Sequence, residues 1–399
     1  MTIELHPANV PQTYRSGRWQ ATPSGSLVAY WCGASLKFRY TGRELTIRTG
    51  VLTERKDRLN GGTPMFSVCI SGACTDSDEP IVRMHDAGPS EMIQVYCAAE
   101  TDEIAAHEVT IEITLIDWAS VFELDAILTT SNLFDHLSRQ ENDIRAFEPP
   151  PTGTSALQVL WIGDSISCGY SDGSQRIPQG CLDAFPFRAR ELMRRQASRV
   201  ELDLTLVAFP GITLTDGDEL GMVSKLFKVC FSNDGLLSIG MAETLHIHRS
   251  PLGTGAKQHT RAKNDIRSWW SSPSVGTNDD LQGVPAESFQ VALTGLASLL
   301  SSRYATSLKY IMLIHPFPNF DQEETKPDLP QTGLGAHFPS FLEALWSCVS
   351  QEIKIFACNI AGRLRAGHTM DGLHPTVEGN AILADGWIEG ARTFVGKVR

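Results

Sequence analysis

The sequence predicts two domains of different class: an all-β sandwich over residues 1–148 and an α/β domain with a parallel sheet over residues 156–399. Three observations predict it. The first part of the chain offers only short strand-like segments with no helical stretch between them. Pro149-Pro150-Pro151 and the Thr-Gly-Thr-Ser that follows then form a stiff linker over 149–155. From Leu157 onward, apolar runs alternate with helical periodicities, the rhythm of a parallel sheet with helices on both faces. A chain of 399 residues also exceeds one ordinary core.

In the first domain, 36–40, 44–50, 65–71, 91–97, 108–116 and 122–128 are rich in Val, Ile and aromatic residues, and several alternate polar with apolar. Alternation of this kind is the mark of a strand with one buried face. Gly42, Gly50, Asn60-Gly61-Gly62 and Gly72 punctuate them. Short strands without intervening helices suggest a jelly-roll-like sandwich.

In the second domain, 157–163, 202–209, 308–314 and 353–358 read as buried strands. Segments 184–197, 217–228, 286–302, 339–350 and 376–395 read as helices, the last capped by Thr376. One stretch does not fit. A strand should precede Gly276-Thr277-Asn278-Asp279, yet SWWSSPSVGTND offers two Trp and a Val where a continuous apolar run is expected. Residues 235–274 therefore read either as a surface excursion with a short degenerate strand or as aberrant sequence.

Composition bounds the function. The chain is 42% hydrophobic and 20% charged, typical of a globular protein, and its net charge of -12 argues against nucleic acid and an anionic membrane surface as partners. No apolar run approaches the ~20 residues of a membrane helix. The nine cysteines are scattered, and the Cys69/Cys74 spacing has no second pair to complete a zinc site. MTIELHPANV shows no basic head followed by an apolar stretch, so reduced thiols and a cytoplasmic location are expected.

The chemistry gathers around LQVLWIGDSISCG (157–169), an apolar run that breaks at Gly163 into a polar turn carrying Ser165. Such a turn presents a hydroxyl at the carboxyl edge of a parallel sheet, where ligands of open α/β sheets bind. By itself it reads equally as a strand-to-helix turn with a capping Ser. A serine becomes a nucleophile when a base takes its proton, and a histidine doing so needs an acceptor on its other ring nitrogen. Asp371 and His374, in Asp371-Gly372-Leu373-His374-Pro375, supply both groups from one loop before the last helix. Ester hydrolysis also needs donors for a developing oxyanion. Gly211 after one strand end, the Asn278 amide and the Ser165 backbone N–H offer three.

Gly163-Asp164-Ser165, Gly211, Gly276-x-Asn278-Asp279 and Asp371-x-x-His374-Pro375 together resemble the four blocks of the SGNH (GDSL-type) hydrolase superfamily. The match spans 157–399 apart from 235–274. Gly17-Arg18-Trp19 and Tyr30-Trp31-Cys32-Gly33 in the first domain resemble the jelly roll of two-domain carbohydrate acetyl esterases, the carbohydrate esterase family two and endoglucanase-E-like group. The resemblance implies a flavodoxin-like three-layer catalytic domain with Ser165 as nucleophile, His374 as general base and Asp371 as its orienting acceptor. It also implies an oxyanion hole of Ser165 N–H, Gly211 N–H and the Asn278 side chain. Some members of the two-domain group lack the triad Asp; this sequence has it.

The function expected is a serine esterase acting on a short acyl ester, acetyl above all, of a sugar or hydroxylated small molecule. It requires no cofactor and no metal. Acyl transfer on the same fold, and a carbohydrate-binding protein with an inactive hydrolase domain, are the alternatives. The expected cytoplasmic location argues against an extracellular polysaccharide as substrate. Elsewhere, His246, His248 and His259 lack a carboxylate or Cys spaced to complete a metal site. Asp216-Gly217-Asp218-Glu219 lacks the twelve-residue calcium-loop pattern and reads as acids at a helix start. His315 follows a strand at the expected site edge and reads as pocket wall or plain loop; Trp269 and Trp270 are equally open.

Overall fold

The computed structural model describes residues 2–10, 13–55, 63–72, 79–98, 108–130, 144–145, 155–171, 177–195, 200–215, 269–304, 307–318 and 333–395. They form two compact units: Met1–Gly153 with Cys168–Ala184, and Thr154–Ser167 with Phe185–Arg399. The proposed linker lies almost wholly outside the described residues, as does the helix read at 217–228.

The first unit holds two antiparallel sheets. In one, the strands run Met92–Cys97, Glu44–Thr49, Ser120–Thr130, Leu27–Ala29, Trp19–Ala21, with Thr2–Leu5 and Glu54–Arg55 also paired to Ser120–Thr130. In the other, they run Ile144–Arg145, Ser35–Tyr40, Val109–Leu115, Phe66–Gly72, Ile81–His85, with Tyr14–Ser16 paired to Ser35–Tyr40. Strand alternation builds the core: Leu36, Phe38 and Tyr40 are buried, while Lys37 and Arg39 between them are partly exposed. Both sheets contribute to one apolar cluster, in which Phe66 of one stacks on Phe122 of the other with ring centroids 4.9 Å apart. The segment Cys168–Ala184 belongs to this unit, held by Cys181 N–H to the Ile116 carbonyl (3.0 Å) and by the Thr63 hydroxyl to the Ile177 carbonyl (3.2 Å). Cys32, Cys168, Cys181 and Cys358 are buried, and Cys97 is exposed.

Among its described residues, the second unit is built on a five-stranded parallel sheet: β1 (Ser155–Gly163), β2 (Val200–Ala208), β3 (Trp269–Ser274), β4 (Leu308–Ile314) and β5 (Lys354–Cys358). Their spatial order is β2-β1-β3-β4-β5. The helices are α1 (Ser165–Cys168), α2 (Phe185–Arg195), α3 (Thr277–Leu281), α4 (Ala286–Arg303), α5 (Phe338–Cys348) and α6 (Val377–Val395). Helix α6 starts where the sequence marks it, with the Thr376 hydroxyl accepting the Gly379 N–H at 3.1 Å. On the α2 and α6 side, Trp161 of β1 packs edge-on to Phe185 (4.9 Å) and beside Trp387 (5.3 Å), all three fully buried.

The strand missing from the sequence reading is present, and it is central. β3 pairs with β1 from Gln158↔Trp269 to Gly163↔Ser274 and with β4 from Trp269↔Leu308 to Ser271↔Ile311. Residues 269–274 are therefore the short degenerate strand of the first alternative, placed inside the sheet; the rest of that stretch, 235–268, lies outside the described residues. Neighbours make up for its small side chains: Trp270 lies on Tyr310 at 4.7 Å, and Trp387 Nε1–H donates to the Ser272 hydroxyl at 3.2 Å. Pro273, unexpected in a central strand, sits beyond the last residue paired with β4.

Candidate active site

Strand register brings the candidate residues to one edge. Gly163 of β1 is level with Ala208 of β2 and Ser274 of β3, so the turns that follow all open at the carboxyl end of the sheet. Ser165 is the first residue of α1, Gly211 follows β2, and Asn278 follows β3. Gly163 is required by packing, because a Cβ there would fall 2.2 Å from the Ser167 hydroxyl. Gly211 is required by backbone conformation instead: its φ is +74°, and an added Cβ would meet nothing within 4 Å.

The loop before α6 carries the other two residues. Asp371 Oδ1 accepts the backbone N–H of Leu373 (3.1 Å) and of His374 (2.7 Å), curling the chain around its own carboxylate. Met370 N–H bonds the His374 carbonyl (2.8 Å) and Thr376 N–H the His368 carbonyl (2.8 Å), closing the loop at its base. Asn380 of α6 ties it down, its amide donating to the Pro375 (3.3 Å) and Thr376 (3.1 Å) carbonyls while its oxygen accepts the Phe185 N–H (3.0 Å).

The side chains then meet. His374 Nδ1 lies 2.6 Å from Asp371 Oδ2, and Nε2 lies 2.9 Å from Ser165 Oγ. A carboxylate only accepts, so Nδ1–H donates to Asp371 and Nε2 is left to accept the Ser165 hydroxyl proton. Ser165 is 5% exposed, while the Asp371 side chain is 36% exposed, so the series runs from a partly exposed carboxylate to a nearly buried hydroxyl.

Asn278 lies in α3 rather than in an open turn, and Gly276 enters that helix with φ +106°. One of its amide hydrogens goes to the Ile212 carbonyl (2.9 Å), joining the turns after β2 and β3. Asp279, unassigned in the sequence, is fully buried, and its carboxylate accepts from Leu214 N–H (2.9 Å), Thr215 N–H (2.9 Å) and the Thr215 hydroxyl (2.8 Å). Its place beside Asn278 is the only sequence signal that pointed to it. Asp164 is also buried; burial pushes its pKa up to about 7, against the pull of the Ile166 N–H it accepts and with a push from Asp279.

His315 follows β4 at the same edge, its N–H on the Cys358 carbonyl (3.2 Å), and its ring stacks on Phe338 at 4.1 Å. It is 7% exposed, and burial holds its pKa below the usual imidazole value. Trp270 is core. His246, His248, His259 and Asp216 to Glu219 lie outside the described residues.

No family model matches the sequence, and no curated protein matches it. Solved structures do. A family two carbohydrate esterase from Cellvibrio japonicus aligns with TM-score 0.65 and 15% identity, covering 100% of this chain and 99% of that one. An acetyl xylan esterase (Est2A) from the rumen bacterium Butyrivibrio proteoclasticus aligns with TM-score 0.58 and 12% identity over 99% of this chain and 98% of its own. The salicylyl-acyltransferase SsfX3, from a tetracycline biosynthetic pathway, gives TM-score 0.60 and 14% identity over 98% and 97%. At these identities the likeness is one of fold.

Proposed function

We propose that this chain is a serine esterase of the SGNH type that removes a short acyl group, acetyl above all, from a sugar or another hydroxylated small molecule. The observation that carries this reading is the hydrogen-bonded series Asp371–His374–Ser165 at the carboxyl edge of the parallel sheet. The fold shared with family two carbohydrate esterases supports it. Residues 156–399 would be the catalytic domain, its β2-β1-β3-β4-β5 order being that of flavodoxin-like sheets, and 1–148 a jelly-roll-like accessory domain.

In this mechanism His374 Nε2 takes the Ser165 proton as Oγ attacks the acyl carbonyl. The oxyanion is received by the backbone N–H groups of Ser165 and Gly211 and by the second amide hydrogen of Asn278. Collapse expels the alcohol, protonated by His374, and leaves acyl-Ser165. Water, deprotonated by His374, then releases the carboxylic acid. Asp371 holds the imidazole tautomer and stabilises the imidazolium. The chemistry needs no metal or cofactor.

Turnover of p-nitrophenyl acetate that falls with acyl length and is absent in Ser165→Ala is the test. A second reading is acyl transfer, favoured by the likeness to the acyltransferase SsfX3. It differs only in what resolves the acyl-enzyme. Product analysis with an added acceptor alcohol separates the two: an ester product supports transfer, free acid alone supports hydrolysis.

A further inference from the structure

We infer that Asp279 is a positioning residue for the oxyanion hole, an inference that rests on the esterase reading. Three donors converge on its carboxylate, all from the turn that carries Gly211: Leu214 N–H, Thr215 N–H and the Thr215 hydroxyl. The Thr213 hydroxyl, bonded to the Thr215 carbonyl at 3.0 Å, stiffens the same turn. Asp279 and Leu214 are 0% exposed and Thr215 is 9% exposed, so water has little access to replace these bonds. Gly211 lies three residues before Leu214, and Asn278 lies directly before Asp279 in α3. One buried carboxylate thus joins the backbone that presents the Gly211 N–H to the helix that presents the Asn278 amide, and the Asn278–Ile212 bond closes the ring. The separation of the two oxyanion donors is set by this brace. Its chemistry is specific: an amide at position 279 that keeps its oxygen at the Oδ1 place, where all three donors are received, would set an NH₂ donor against the Leu214 N–H, which lies 2.9 Å from the Oδ2 place.

The test compares Asp279→Asn and Thr215→Val with wild type in kcat and KM for p-nitrophenyl acetate, in melting, and in amide hydrogen exchange at 211–215. Loss of oxyanion-donor alignment lowers kcat of Asp279→Asn by about 10²-fold with KM unchanged, the size expected for a displaced donor. Thr215→Val, which keeps two of the three donors, loses several-fold. The Leu214 and Thr215 amides lose protection in Asp279→Asn while those of α6 keep it. Wild-type kcat in a folded Asp279→Asn, or a change in KM alone, overturns the inference. If Asp279→Asn does not melt cooperatively, Thr215→Val decides: wild-type kcat there overturns it, and a kcat loss at constant KM supports it. Exchange separates the two possible failures. A wild type inert to esters whose 214–215 amides are exposed by Asp279→Asn retires the esterase reading and leaves the brace standing. An active wild type with unaltered exchange in the variant retires the brace alone.

Discussion

Nε2 of His374 lies 2.9 Å from Oγ of Ser165, across 209 positions of sequence. The contact depends on two separate anchors. β1 delivers Ser165 to the sheet edge, and a loop bound to the start of α6 delivers His374. Each anchor yields an outcome that can be measured.

Asp371→Asn should leave the loop folded and the imidazole misdirected, since an amide can present its NH₂ to Nδ1 and favour the wrong tautomer. We expect kcat to fall by ~10²–10⁴ with KM little changed. Steady-state kinetics with a short-chain ester checks it; a loss below threefold would assign the tautomer control elsewhere.

Asn278→Ala removes one proposed oxyanion donor and the bond to the Ile212 carbonyl. The expected loss in kcat is ~10²–10³. Wild-type kcat in a folded Asn278→Ala protein would remove Asn278 from the oxyanion hole.

Asn380→Ala strips the Phe185 N–H of its acceptor and the Pro375 carbonyl next to His374 of its side-chain donor, while the Thr376 carbonyl keeps the backbone N–H of residue 380. Buried unpaired groups cost ~1–3 kcal/mol each, so a clear drop in denaturation midpoint is expected, with kcat reduced as the loop loosens. Chemical denaturation and kinetics on the same sample report both. Unchanged stability would mean that solvent reaches these groups.

Asp164 ties stability to pH. Its ordinary pKa of 3.8 rises to about 7 in the fold, chiefly through burial. A carboxyl shifted upward contributes its full stability below 3.8, loses it as pH climbs, and has lost it all above about 7. The loss amounts to at most ~4 kcal/mol. Asp164→Asn, whose amide oxygen can still accept the Ile166 N–H, should therefore gain on wild type as pH rises from 4 to 8. Thermal melts across that range test it; parallel curves for the two proteins would contradict it.

What the sequence revealed follows from which interactions are local. Strands such as Ser35–Tyr40 and Leu308–Ile314 announce themselves by alternation or by unbroken apolar runs. The cap at Thr376 and the Asp371 turn close within three residues, so both are legible. β3 is not, because WWSSPS reaches burial through partners brought from elsewhere: Tyr310 under Trp270, and Trp387 reaching Ser272. The short strands Thr2–Leu5, Tyr14–Ser16 and Ile81–His85 are likewise not legible, being brief and half-exposed members of their sheets. Asp279 escaped for the same reason as β3. Its three donors lie 64 and 65 residues away, so its place beside Asn278 marks the residue without showing what its carboxylate holds.

The most direct measurement is hydrolysis of p-nitrophenyl acetate, butyrate and octanoate by the purified protein beside its Ser165→Ala and His374→Ala variants, with melts of all three proteins. The account predicts turnover greatest on acetate, falling with chain length and lost in both variants while their melts stay cooperative. Turnover that persists in Ser165→Ala, or a cooperatively folded wild type inert to every ester, would contradict it.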